Sequence, residues 1–376
     1  MKKAPRRGPK RLTMHQVAKL IGVSPMTVSR VLSADPKVKA ETRDRVKAAV
    51  EKIGYAPNTA ARSLAGARVL RIGLLYGNPS VAYLNEMLVG IIEESSTIGC
   101  QIVLERCGPR GERAAIVKMI NGGVDGVLLP PPLSDSGMLR ERLRSANVPF
   151  VCVAGSRNGD PDLSVGIDNF EAAATMTRFL LALGHRKIAF IRGASNQHES
   201  GERYAGFEAA LGEENLKPRA DYMRQGTFTY RSGLLAAEGL LSTKDRPTAI
   251  FASNDDMAAA VVATAHRFHL EVPQDLTVVG FDDTLLATTI SPALTTIHQP
   301  IAAMARKALE ILVEDVRQRD HGNTDVPKKI LFRYSLVKRE SSSTPQPKVL
   351  GRKTENVLPS GGRFRPRPSK KCLDQM

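Results

Sequence analysis

The chain has 376 residues, more than one ordinary domain needs and enough to bury a sizeable core. Hydrophobic residues make up 42% and charged residues 24%, a globular composition that excludes a wholly disordered or fibrous protein. The net charge of +16 is unevenly placed: residues 1–71 hold 17 Lys and Arg against 4 Asp and Glu, residues 341–376 hold 8 against 2, and the stretch between holds 29 against 32.

A basic head on a nearly neutral body points to a polyanion bound at one end, since a uniformly basic protein would bind one diffusely. Cys100, Cys107, Cys152 and Cys372 show no short paired spacing and no Cys/His cluster. The expectation is reduced thiols in a cytoplasmic protein, with no metal site and no cofactor. No apolar h-region follows the charged first residues, and no apolar run is long enough to span a bilayer, so neither a signal peptide nor a membrane partner is expected.

In chain order, residues 1–12 are rich in Pro, Gly, Lys and Arg and read as a disordered basic arm. Residues 13–57 predict three helices, at about 14–21, 25–32 and 41–53. Val17, Ala18 and Leu20 are expected on one face of the first, with Val23, Val28, Val31 and Leu32 packed against them. Gly22 permits the turn, Ser24 is placed to cap the second helix, and Pro25 at its first position loses no hydrogen bond. That is a helix-turn-helix, whose second helix enters the major groove of duplex DNA. Ser24, Pro25, Met26, Thr27, Ser29 and Arg30 are the candidate contacts: Arg suits guanine O6 and N7, Ser and Thr suit phosphates.

Gly54 stops the third helix and Tyr55-Ala56-Pro57 breaks the pattern. Residues 58–67 then hold a short helix, Thr59 to Ala65, capped by Asn58 and too short to be stable alone. From Leu70 the texture changes to short apolar runs (Leu70–Tyr76, Ile102–Glu105, Val124–Pro130, Phe150–Val153, Lys187–Arg192, Thr248–Ala252, Leu276–Phe281) alternating with helical windows such as Tyr83–Ile98, Phe170–Leu183, Arg203–Leu211, Asn254–His269 and Ile301–Arg317. The alternation predicts a parallel-sheet α/β body over residues 68–340, long enough for two lobes. Residues 341–376 are polar and basic and read as a disordered tail, either solvated or adding non-specific DNA affinity.

In two-lobed α/β proteins ligands bind between the lobes, beyond the carboxyl ends of strands. Asn78, Ser80, Asp168, Arg203, Asn254, Asp255, Asp282 and Gln299 are polar residues so placed, and Asp, Asn and Arg offer the paired donors and acceptors a polyol needs. Each has a structural alternative. Asp282 either contacts ligand or caps a turn, and Asn254 either contacts ligand or caps the following helix, or does both. Arg203 either faces ligand or pairs with Glu199 or Glu202 on its own helix. Tyr83, Phe228 and Tyr230 either stack on a ring or pack in the core. His185, after a glycine helix stop, and His298 read as structural. Ser-His-Asp, GxSxG, GxGxxG and P-loop patterns do not occur, so nothing points to an enzyme. An exported transport receptor on the same fold is the competing class, separable by the missing leader.

The run Val17-Ala18 … Gly22-Val23-Ser24 … Thr27-Val28-Ser29-Arg30-Val31-Leu32, then Gly54-Tyr55 … Pro57-Asn58 … Ala61-Arg62-Ser63-Leu64, resembles the LacI/GalR family of bacterial transcription regulators. Asp168-Asn169-Phe170, Leu183-Gly184-His185, Asn254-Asp255 and Val279-Gly280-Phe281-Asp282-Asp283 agree, and the resemblance runs through Glu340. It implies an α/β fold with a three-helix headpiece, a hinge helix and a two-lobed, periplasmic-binding-protein-like effector domain. It implies a homodimer on a pseudo-palindromic double-stranded operator, acting as a repressor controlled by a small-molecule effector, a sugar or sugar derivative. Asn58–Ala65 matches the hinge helix, with Tyr55, Asn58 and Ala61 among the DNA-binding positions and Leu64 at the position that wedges into the central base step. Arg203, Asn254, Asp282 and Gln299 match positions where sugar-responsive members contact ligand, Asp168 lies near another, and Asn78, Ser80 and Tyr83 complete the expected set.

Overall fold

In the computed structural model, residues 14–32, 38–53, 69–108, 111–154, 162–319 and 329–346 are described. The expected basic arm, Tyr55, Asn58, Ala61 and Leu64, and the tail beyond residue 346 lie outside the described residues. Helices α1 (Met14–Ile21), α2 (Pro25–Leu32) and α3 (Ala40–Ile53) come first. They close on a core of Val17, Ala18, Val28, Val31 and Val46, with Ile21, Val23 and Val50 against it. The local chemistry is as the sequence predicts. Gly22 takes a φ of 71°, and the Thr27 N–H donates to the Ser24 hydroxyl at 3.0 Å to cap α2. Leu20 departs from expectation, being 66% exposed. The inward arc runs through Val17, Ala18 and Ile21, and a residue one step before Ile21 is rotated about 100° away from it.

The body follows as β1 (Arg71–Tyr76), α4 (Val81–Ile98), β2 (Gln101–Arg106), α5 (Glu112–Asn121), β3 (Gly126–Leu129), α6 (Gly137–Ser145), β4 (Phe150–Val153) and β5 (Leu163–Ile167). Next come α7 (Asn169–Ala182), β6 (Ile188–Arg192), α8 (His198–Glu213), β7 (Met223–Gln225), α9 (Tyr230–Leu241), β8 (Ala249–Ala252), α10 (Asp255–Arg267), β9 (Thr277–Val279), α11 (Leu286–Thr289) and β10 (Thr296–His298). The chain ends its regular structure with α12 (Ile301–Arg319), β11 (Lys329–Phe332) and β12 (Ser335–Val337).

Two parallel sheets form the lobes. One has the order β11-β5-β4-β3-β1-β2, the other β7-β6-β8-β9. Strands β3, β4 and β8 are buried at every position, as strands covered by helices on both faces must be, and they are the continuous apolar runs read from the sequence. The edge strands β2 and β11 carry exposed residues instead.

The chain crosses between lobes three times. It leaves the first at Asp168, returns after His298 so that α12 packs on α4, β3, β4 and β5, and leaves again after β11 so that β12 pairs antiparallel with β10. Helices α4 and α12 touch closely at Gly90, where a Cβ would overlap the Ala302 carbonyl oxygen.

The tail begins later than its composition predicts. Ser341 is fully buried; its hydroxyl donates to the Val278 carbonyl at 2.6 Å and accepts from the Thr295 N–H at 2.8 Å. The Ser343 carbonyl accepts from His185 Nε2 at 2.9 Å. Small hydroxyls here satisfy backbone groups at the edge of β9, so a polar segment is held in place. His185 is the expected structural histidine. A carbonyl can only accept, so Nε2 carries the proton, Nδ1 faces the Thr248 hydroxyl at 2.9 Å, and burial keeps the ring neutral by lowering its pKa.

Candidate functional site

A cavity opens between the two lobes. The first lobe contributes Asn78, Ser80, Tyr83, Pro131 and Ala154, from the segments that follow β1, β3 and β4. After β1, Asn78 Nδ2 donates to the Pro131 carbonyl at 3.2 Å and Asn78 Oδ1 accepts from the Ser80 N–H at 2.8 Å. Ser80 caps α4, accepting from the Tyr83 N–H, and its hydroxyl also donates across the cleft to Asp256 Oδ2 at 2.6 Å. Tyr83 is buried with its hydroxyl unpartnered, and burial first, then the charges of Asp282 and Glu199, pushes that hydroxyl's pKa upward.

The second lobe contributes Gln197, Glu199, Arg203, Phe228, Asn254 and Asp282. Asn254 has both of its possible roles. Its Oδ1 caps α10 by accepting from the Met257 N–H at 3.1 Å, its Nδ2 donates to the Phe228 carbonyl at 3.1 Å, and it lines the cavity. Arg203 stands on α8 and is 5% exposed. Its Nε donates to Asn169 Oδ1 at 2.9 Å, and its Nη1 donates to the Ser253 carbonyl at 2.5 Å and lies 3.5 Å from Asp282 Oδ1. The guanidinium lies 3.6 Å from the centroid of the Phe281 ring. Arg203 therefore does not pair with Glu199 or Glu202; Glu202 sits near His198 instead, at 3.7 Å.

Asp282 follows β9 with a φ of 114°, which turns its carboxyl inward to accept from Gln299 Nε2 at 2.6 Å. Burial raises its pKa, and Arg203 and Gln299 only partly offset the rise.

Six of the eight residues expected at a ligand site line this cavity: Asn78, Ser80, Tyr83, Arg203, Asn254 and Asp282. Two do not. Asp168 is exposed and caps α7, its carboxylate accepting from the Glu171 N–H at 2.9 Å. Gln299 is buried behind Asp282 and orients it without lining the space. Phe228 is buried and lines the cavity as well, whereas Tyr230 is 43% exposed and does not. Sequence reasoning missed Pro131, Ala154, Gln197 and Glu199. Glu199 carries a signal, four residues before Arg203 on one helix face, but that spacing equally describes an ion-pair partner.

Glu199 is the least compensated group. It is 3% exposed, and neither carboxyl oxygen has a hydrogen-bond partner from any other residue. Burial first, then the charge of Asp135, pushes its pKa up to about 8; its own backbone N–H and Arg203 offset this in part. By contrast, the equally buried Asp255 is satisfied, accepting from the Thr296 hydroxyl at 2.7 Å and the Thr284 N–H at 2.8 Å.

At the other end of the chain, α2 presents Met26, 64% exposed, with Arg30 also exposed and Pro25 and Thr27 half-buried. Ser24, exposed at the cap, lies with its hydroxyl 2.8 Å from that of Thr27. The side chain of Ser29 is outside the described residues.

A helix-turn-helix with a polar, basic reading face, followed by a two-lobed body with a polar cavity between its lobes, defines the class of ligand-responsive DNA-binding regulators. Residues 13–58 match the family of bacterial regulatory proteins, lacI family, and residues 177–342 match the periplasmic binding protein-like domain. Catabolite control protein A of Priestia megaterium is 32% identical over 333 residues, 86% of this chain and 99% of that protein. The solved Lac repressor dimer bound to operator and the anti-inducer ONPF superposes with a TM-score of 0.73 at 28% identity, over 89% of this chain and all of that one. The transcriptional regulator CelR in complex with cellobiose gives 0.67 at 30% identity, over 88% and 100%. The chain belongs to the lacI family of bacterial transcription regulators, DNA-binding repressors that carry an effector-binding domain.

Proposed function

We propose that the protein is a cytoplasmic homodimer that represses by gripping a pseudo-palindromic operator, and that a sugar-sized effector in the inter-lobe cavity sets the grip. The effector contacts are Asn78, Ser80, Tyr83, Arg203, Asn254 and Asp282, with Gln299 holding Asp282 in place. The reading residues are Ser24, Pro25, Met26, Thr27, Ser29 and Arg30, and residues 58–67 serve as the hinge helix, with Tyr55, Asn58, Ala61 and Leu64 on the duplex. The observation that carries this reading is a cavity walled by both lobes, lined by paired amide, carboxyl and guanidinium groups. Clefts between two domains, with a few convergent polar groups, are where small ligands are most often held, and this cavity has that placement.

The mechanism follows from linkage. The lobes are joined by three strands of chain and bridged across the cleft by Ser80 and Asp256, so their relative angle is the coordinate that a ligand in the cavity biases. A ligand that prefers one angle shifts the population toward it, and in a dimer that changes how two hinge helices are presented to the minor groove. We read the cavity as a binding site, a reading supported by the way Asp282 and Arg203 are held by each other and by neighbouring groups. Two of the related structures support the reading: a Lac repressor is a dimer on its operator, and a CelR structure contains cellobiose.

The test is selection of duplexes from a random pool by the full-length protein, followed by mobility-shift titration of wild type and Leu64→Ala. Selected sites should be two-fold symmetric, and the Leu64 variant should bind them at least tenfold more weakly. Unchanged operator affinity would remove the hinge-helix assignment.

A further inference from the structure

The Glu199 carboxyl lies in the first turn of α8, facing a cavity, with both oxygens buried and unpartnered. The Tyr83 hydroxyl in the same cavity is equally orphaned. Buried polar atoms are nearly always paired, and two unpaired ones lining one cavity mark where a ligand atom belongs. What surrounds them is acidic. Asp135 closes the turn Leu133–Asp135 and is held by the His198 N–H at 2.8 Å, and Asp282 lines the same cavity. His198 and Glu202, on Glu199's own helix, face each other at 3.7 Å.

Arg203 is the one cationic residue lining the cavity among the described residues. Its Nε and Nη1 are committed to Asn169, Ser253 and Asp282, and its face to Phe281.

Resting on the effector-cavity reading, we infer that the effector carries a protonated amine and turns it toward Glu199 and Tyr83. An ammonium has three N–H donors, and the orphaned atoms are two carboxyl oxygens and a phenolic oxygen, all able to accept. A phosphorylated or carboxylate ligand would meet the carboxyl groups of Glu199 and Asp282, beside a guanidinium whose Nε and Nη1 already serve protein acceptors. An uncharged polyol would meet the protonated, neutral form of Glu199 and draw no proton from it, so proton release on binding separates it from an amine.

Proton bookkeeping is explicit. In the free protein near pH 7 the Glu199 carboxyl holds its proton, being pushed up to about 8. When the ammonium docks, that proton passes to solvent, and the resulting carboxylate is favoured by the ammonium and by the N-terminus of α8.

The experiment uses the full-length protein and three probe sets: amino sugars, amino alcohols and polyamines; the matching neutral sugars and polyols; and sugar phosphates with aldonic acids. Thermal shift finds binders, and titration calorimetry in two buffers of different ionisation enthalpy counts protons. The expected result is binding confined to the amine set, with release of about one proton and an affinity that rises about tenfold from pH 6 to pH 7, where the amine stays charged. Glu199→Gln, whose folding is checked by its melting curve, should weaken the same binder at least tenfold.

A neutral or anionic binder of equal affinity at both pH values, or one indifferent to Glu199→Gln, would overturn the amine assignment while leaving the effector cavity in place. Absence of any binder in all three sets would overturn both. Proton release by the unaltered protein decides the matter even if the variant fails to fold.

Discussion

Removing the Arg203 guanidinium tests how the cavity is built. In Arg203→Ala the Asp282 carboxyl keeps only Gln299, the Ser253 carbonyl and Asn169 Oδ1 lose their donor, and Phe281 loses the plane stacked on it. Breaking a buried charge pair on one side costs about 3–5 kcal/mol, because the remaining charge is stranded away from water. For a body of this size that corresponds to a melting point lower by about 6–20 °C.

The loss must also depend on pH. Burial already raises the Asp282 pKa, and without Arg203 it rises further, so the native state keeps a proton that the unfolded chain gives up near pH 4. Native stability then falls as pH climbs through that window, and the deficit of the variant is larger at pH 8 than at pH 5. Urea unfolding followed by circular dichroism at both pH values reads this directly. Arg203→Lys should recover only part of the loss, since a point charge cannot span three acceptors and stack at once. A deficit below about 1 kcal/mol at pH 8, or one that does not change with pH, would refute the picture of Arg203 as the hub of the second lobe's cavity wall. The same result explains why a lost ligand response in this variant must be measured where the variant is still folded.

Glu199 gives the same linkage in simpler form. Its carboxyl holds a proton up to about pH 8 in the native state but only to about pH 4.3 when unfolded, so it lowers stability progressively as pH rises across that interval. Glu199→Gln should therefore be more stable than the parent at pH 8 and nearly equal to it at pH 4.5, and parallel pH profiles in urea unfolding would disprove the assignment. Gly90→Ala should destabilise the first lobe by about 1–3 kcal/mol, because the added methyl would overlap the Ala302 carbonyl and force α4 and α12 apart; a melting point within 1 °C of wild type would show that the helices yield freely.

Local chemistry made the headpiece legible. Gly22, Ser24 and Pro25 each dictate a backbone state within two residues of themselves, and the turn and the start of α2 follow. Leu20 is not separable from the core by pattern alone, because a single apolar residue one step off the inward arc looks the same in a helix of eight residues. The strands buried on both faces, such as β3, β4 and β8, stood out as uninterrupted apolar runs.

What the chain order hides is tertiary. Strand β11 joins the first sheet from more than 150 residues beyond its neighbour β5, and its alternating pattern belongs to an edge. Helix α12 is visible as a helix, but its return to the first lobe is not.

At the site the same division holds. Asn254 and Asp282 are flagged by the strands they follow, whereas Gln299 ends behind Asp282 and Asp168 ends on a helix cap, outcomes set by distant segments. Glu199 reads as an ordinary helical carboxylate, and only the folded cavity reveals that nothing answers it. The buried Ser341 illustrates the converse, a composition typical of a tail that the edge of β9 captures with three hydrogen bonds to Ser341 and Ser343.

The central claim is that the cavity and the operator are thermodynamically coupled. The direct measurement is fluorescence anisotropy of a labelled selected operator, titrated with full-length protein in the absence of a cavity ligand and at its saturation. The reciprocal measurement is ligand titration of the free and the operator-bound protein. The account predicts a change in operator Kd of about 5–150-fold, matched by the same factor in ligand Kd when the titration is reversed. Equal operator affinity with and without bound ligand would contradict it.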